Sequence, residues 1–164
     1  MLPVVNEKGE FIKLVPRKVC HDGKSMLLHP VIHLHIINAD GHIFLQKRSS
    51  KKDIQPGRWD TSVGGHIDPG ETTEEALVRE AGEEAGLYDF DFEFINKYIW
   101  ESDRERELVH SFITRDENTP VTDPEEIEEG RFWTISQIEE NLGSGIFTPN
   151  FEYEYRQVLK DISF

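Results

Sequence analysis

The chain of 164 residues has a single cysteine, two methionines, and only 18 lysines and arginines against 32 aspartates and glutamates. One cysteine excludes a disulfide framework and a cysteine-based zinc ribbon. No apolar run approaches the ~18 residues that a membrane-spanning helix needs. The first twenty residues, MLPVVNEKGEFIKLVPRKVC, lack the apolar centre of a signal peptide, so the expected compartment is the cytoplasm. The net charge of −14 lacks the basic footprint that binding a nucleic-acid polymer requires. The chain does have a globular composition, 37% hydrophobic and 30% charged. With no internal repeat or low-complexity linker, it is expected to form one domain over residues 1–164.

The acidity is concentrated. Residues 65–90 hold eight acids and one base, residues 116–130 hold seven acids and no base, and the remaining residues sum to zero. The second segment, DENTPVTDPEEIEEG, has two prolines and little apolar content, and reads as a solvated loop leading into a strand.

Hydrophobic patterning places strands at 31–38 and 42–47, joined by the turn Asn38-Ala39-Asp40-Gly41, with a short strand at 60–65. Alternation over 90–100 marks another strand, 107–114 is its expected partner, and 130–134 is shorter. Thr72-Thr73-Glu74-Glu75 fits a capping box and Gly86 a helix stop. A second capping box is expected at 136–139. Thr148-Pro149 opens a last helix with Phe151, Tyr155, Val158, Leu159 and Ile162 at helical spacing. This order suggests a mixed sheet with helices on its faces.

On a helical wheel of 73–85, Leu77, Val78, Ala81 and Ala85 form one arc, and Glu80, Glu83 and Glu84 form the arc beside it. Arg79 is the only base nearby, at i,i+4 spacing from Glu83. Three such carboxylates repel one another, and a hard divalent cation relieves the repulsion. An exposed acidic helix is the alternative reading.

The stretch Gly65-x5-Glu71-x7-Arg79-Glu80-Ala81-x-Glu83-Glu84-x-Gly86-Leu87 resembles the Nudix box, the signature of the Nudix hydrolase superfamily, with every fixed position filled. The resemblance covers residues 65–87 and implies an α/β fold, an α/β/α sandwich with a mixed β-sheet. It implies that Glu80, Glu83, Glu84 and the Gly65 carbonyl hold Mg²⁺ or Mn²⁺, that Arg79 orients Glu83 and that Glu71 braces the loop. Activity would be water attack on a nucleoside diphosphate linked to a further group, with a carboxylate as base.

Residues from about 20 to 115 also resemble the type I isopentenyl diphosphate isomerases. The shared residues run His21, Leu28-His29, Asn38-Ala39-x-Gly41, Arg48, Lys51-Lys52, Pro56-Gly57-x-Trp59, Ser62-Val63-x-Gly65-His66 and Glu105-x-Glu107. That resemblance implies a second metal site, for a transition metal or zinc, at His21, His29, His66, Glu105 and Glu107. It also implies diphosphate contacts from Arg48, Lys51 and Lys52. Independently, residues 47–58 carry net charge +4, suited to a phosphate ester.

This chain departs from the isomerases in two places. Gly64 stands where they need a cysteine to move a proton to carbon, and Phe147-Thr148-Pro149-Asn150-Phe151 lacks their tryptophan. The expectation is therefore a hydrolase of small diphosphate substrates. The isomerase and a non-catalytic ligand sensor stand as alternatives. ADP-ribose, dinucleoside polyphosphates, oxidised nucleotides and prenyl diphosphates all stay open as substrates. A further glutamate is sought among Glu125, Glu126, Glu128 and Glu129. Nothing is expected to dock on a membrane, and a homodimer is compatible with the superfamily.

Overall fold

The computed structural model describes residues 1–52 and 54–162. Asp53, the one acid of the basic 47–58 loop, lies outside the described residues, as do 163 and 164. Strands β1 (Leu2–Val5) and β2 (Phe11–Val15) form an antiparallel hairpin where the pattern assigns no element. Phe11, Ile12 and Leu14 are all exposed there, so β2 has none of the alternation that marks a half-buried strand. A short helix α1 (Arg17–Cys20) follows, and Cys20 is buried beside Leu2, Val4 and Val15.

The main sheet is mixed, with β3 (Leu28–Ile37) at its centre. β3 runs parallel to β8 (Arg106–Arg115) along its whole length and antiparallel to β6 (Val63–His66) over residues 31–34. Beyond them lie β4 (Ile43–Arg48), β5 (Trp59–Asp60), β7 (Glu93–Glu101) and β9 (Ile127–Trp133). Every residue of β3 is buried, as expected of a strand covered on both faces.

Helix α2 (Thr73–Ala85) covers one face, setting Ala76, Leu77, Ala81 and Ala85 against Ile32, Leu34, Ile36 and Phe112. Helices α3 (Ile135–Asn141) and α4 (Pro149–Gln157) cover the other, packing Ile138, Phe151 and Tyr155 against Ile37 and Ile113. The result is an α/β/α sandwich.

The termini of α2 form as the sequence predicts. Thr72 and Glu75 make both hydrogen bonds of a capping box, and Gly86 ends the helix at φ 62°, in the left-handed region that glycine enters without a Cβ penalty. Three expectations shift. Val78 is exposed, and Ala76 takes its place against the sheet. The second capping box is Thr134 with Gln137, because α3 starts directly where β9 ends. Helix α4 stops at Gln157, and Leu159 is buried from a 3₁₀ turn instead.

Candidate active site

The loop from β6 into α2 is tied together by Arg79. Its Nε donates to Glu71 Oε2 at 2.8 Å, its Nη1 to Glu80 Oε1 at 2.8 Å and its Nη2 to the His66 carbonyl at 3.0 Å. The contact with Glu83 is longer, at 3.4 Å. Glu71 also accepts the Asp68 backbone N–H at 3.0 Å, so loop and helix share one network. Glutamates at both ends hold the Arg79 pKa well above its usual value.

Glu80 lies against Gly65 so closely that a Cβ at that position would collide with its carboxyl group. The Gly64 backbone N–H donates to Glu84 Oε2 at 3.2 Å. Burial, reinforced by the neighbouring Glu80, pushes Glu84 up to about 8. Burial also raises Glu80, with Arg79 opposing. Two buried carboxyl groups with raised pKa values and one arginine between three glutamates form a donor set suited to a hard cation. Glu83 is mostly exposed at its end of the arc.

A second cluster is built from distant segments. His21 sits at the C-terminal end of α1, His29 on β3, His66 at the end of β6, Glu105 just before β8 and Glu107 near the start of that strand. The three imidazole centroids are 5.3–5.5 Å apart. Glu105 Oε2 is 3.0 Å from His21 Nε2 and 3.6 Å from His29 Nε2, and Glu107 Oε2 is 3.9 Å from His29 Nε2. Donor atoms of His21, His29 and His66 lie within 4.8 Å of one another, as do those of His29, Glu105 and Glu107.

Nε2 of His29 and Nε2 of His66 are buried and make no hydrogen bond among the described residues. Buried nitrogens aimed at a common point are what a cation site leaves exposed to its ion. Burial raises Glu105, but the charges of His21 and His29 beside it outweigh burial and leave it at about 2, while burial and the adjacent Glu105 push Glu107 up to about 7. Burial, together with His29 and Arg17 nearby, lowers His66 to about 3, keeping its nitrogen free for a ligand.

Both clusters open onto one cleft of about 830 Å³, which Gly64, Gly65, His66, Glu80, Glu83, Glu84, Glu105 and Glu107 line. Arg48 and Lys52 line it as well, while Lys51 is exposed and is not among the lining residues. Arg48 Nε donates to the Ile54 carbonyl at 3.0 Å, and Lys52 Nζ to Glu126 Oε2 at 2.6 Å. Of Glu125, Glu126, Glu128 and Glu129, only Glu126 lines the cleft.

Sequence reasoning passed over Glu154. It is fully buried on α4, accepting from His33 Nδ1 and His35 Nε2 at 3.0 Å each and from the Ser111 hydroxyl. The one signal for it is a charged residue three positions after Phe151, inside the apolar stripe of α4.

The family model of the NUDIX domain matches residues 27–151. The chain belongs to the Nudix family. Among curated Nudix relatives, it is 29% identical over 143 residues to isopentenyl-diphosphate Delta-isomerase 1 of Photorhabdus laumondii, covering 82% of this chain and 81% of that protein. It is 32% identical over 136 residues to the uncharacterized Nudix hydrolase lmo0368 of Listeria monocytogenes, covering 76% of this chain and 74% of the relative. Among solved structures, DR0079 from Deinococcus radiodurans superposes with a TM-score of 0.82 at 23% identity, over 95% of this chain and 97% of that one. This places the Nudix fold on the mixed sheet described above.

Proposed function

We propose that this Nudix protein is a divalent-metal-dependent hydrolase of a small diphosphate-containing substrate, one domain with its box at residues 65–87. The observation that carries the reading is Gly64. Where an isomerase needs an acid that protonates carbon, this chain has a glycine whose N–H serves Glu84. The one thiol cannot take over, because Cys20 is fully buried in the apolar cluster beneath the β1–β2 hairpin. The box carboxylates, by contrast, are complete and grouped on one cleft.

Glu80, Glu83, Glu84 and the Gly65 carbonyl would hold Mg²⁺ or Mn²⁺. Such a cation, when bound, neutralises diphosphate charge and makes water more acidic. Glu84, buried and raised, is the group with proton affinity near neutrality, and serves as base toward the attacking water. Arg79 keeps Glu80 and Glu71 in register. Arg48 and Lys52, with Lys51 at the loop tip, supply positive charge toward the phosphates. Glu126 already holds Lys52 and is the loop glutamate best placed to assist.

The isomerase remains the second reading, supported by the converging His21, His29, His66, Glu105 and Glu107, which would take zinc or a transition metal. One assay separates the two. The full chain is incubated with Mg²⁺ or Mn²⁺ and a panel of nucleoside diphosphate derivatives and prenyl diphosphates, isopentenyl diphosphate included. Metal-dependent release of phosphate-containing products is the expected result. Conversion of isopentenyl diphosphate to its allylic isomer without such release would overturn it.

A further inference from the structure

Glu154 is buried completely between α4 and the sheet, on the face opposite α2. Placing a carboxylate there is costly, and an apolar side chain would hold the layers together at least as well. Three donors nevertheless converge on it, from His33, His35 and Ser111. The register explains how they meet. His33 lies opposite Ser111 on β8, and His35 is two residues further along the same face of β3.

The two histidines differ in what their second nitrogen meets. His35 is fully buried, its Nε2 lies 3.0 Å from Glu154 Oε2, and its Nδ1 makes no hydrogen bond among the described residues. His33 reaches Glu154 through Nδ1, so its other edge points away from the core. That edge lies over Gly64, where a Cβ would stand 3.5 Å from Cδ2 and 3.9 Å from Nε2. His33 lines the cleft that the box carboxylates also line. Its Nε2 makes no hydrogen bond among the described residues and is not among the buried orphan atoms. Burial favours a neutral ring, but the charge of Glu154, with smaller contributions from Glu107 and Asp60 on the cleft, outweighs it and raises His33 to about 9, which leaves Nε2 a donor at neutral pH.

We propose that His33, held by Glu154, donates its Nε2–H to a non-bridging oxygen of the diphosphate in the cleft. His33 is then a catalytic residue that touches substrate, and Glu154 its positioning residue. The contact is a hydrogen bond, and no proton changes hands. Gly64 places no side chain over that ring edge. This rests on the diphosphate reading above, so the test includes a binding arm that needs no turnover.

Full-length protein with ¹⁵N-labelled histidine is titrated with methylenediphosphonate, a non-hydrolysable diphosphate, in Mg²⁺. The His33 Nε2–H signal is expected to shift on binding. His33→Gln is expected to weaken probe binding and lower kcat/KM by about 10- to 100-fold, the range for a hydrogen bond from a charged donor. Glu154→Gln is expected to move the His33 nitrogen signals to those of a neutral ring, a change that loss of packing alone does not produce. If Glu154→Gln fails to fold by circular dichroism, His33→Gln decides. Probe affinity and kcat/KM within twofold of the parent in His33→Gln would overturn the inference while leaving the hydrolase standing. A parent chain that binds the probe through His33 but cleaves no diphosphate would overturn the hydrolase and keep the contact. A parent chain that does neither overturns both.

Discussion

The two acidic clusters on the cleft are built in opposite ways. The box occupies 23 consecutive residues, and a single helix with one arginine sets its geometry. The histidine–glutamate cluster draws on residues between 21 and 107, and the pairing of β3 with β6 and β8, with the end of α1 adding His21, brings them together. Their electrostatics differ accordingly. In the box, burial raises Glu80 and Glu84 with one cation to share. In the second cluster, imidazoles hold Glu105 ionised and leave Glu107 as the carboxyl group pushed toward neutrality. Helical spacing groups carboxylates that suit a hard cation locally, whereas bringing together mixed nitrogen and oxygen donors needs tertiary register.

The sharpest way to break this contrast is to remove one member of each cluster. Glu84→Gln should lower metal-dependent phosphate release by about 10³-fold with the circular dichroism spectrum unchanged, as for loss of a general base. Retained turnover would remove the box from the chemistry. His66→Asn should weaken Zn²⁺ or Mn²⁺ binding by at least about 100-fold in calorimetry, the upper end of what supporting groups around a metal contribute. Unchanged affinity would show that the histidine cluster holds no ion.

Smaller changes sharpen the comparison. Gly65→Ala drives a methyl group into the Glu80 carboxyl, the end of a side chain that can turn away, so it should cost at most about 1 kcal/mol in urea unfolding, while turnover falls by more than that displacement of Glu80 costs in stability. Turnover equal to the parent would mean that the Glu80 carboxyl is not needed in its place beside Gly65.

The last effect concerns the Glu154 network and is read only from its pH dependence. The folded-state pKa of His33, about 9, lies above the ordinary 6.5. Its stabilisation is therefore complete below pH 6.5 and is lost as pH rises through 9. The stability difference between the parent and His33→Gln should shrink by about 1–3 kcal/mol from pH 6 to pH 10. A difference that does not change with pH would contradict the Glu154–His33 ion pair.

Much of the helix that carries the box is legible in the order of residues. The capping box at Thr72, the stop at Gly86 and the carboxylate arc depend on spacing within one helix, and they form as read. The Thr148-Pro149 start of α4 is legible for the same reason. The β1–β2 hairpin is not, because β2 is exposed on both sides and shows no alternation. The Val78 misplacement shows the limit of a wheel, since neighbouring arcs are separated only by what packs against them. His33 and His35 alternate visibly, yet nothing local says that a glutamate more than a hundred residues later will meet them.

Local spacing is enough for the α2 carboxylate arc, the glycine at position 64 and the family those residues signal, because each depends on neighbours within a few turns of chain. Only the folded sheet makes His21, His29, His66, Glu105 and Glu107 converge, puts Lys52 in the grip of Glu126, and lets a buried Glu154 aim His33 at the cleft. Those contacts arise from strand register and from a helix laid across the sheet, and side chains far apart along the chain become neighbours only when the sheet closes.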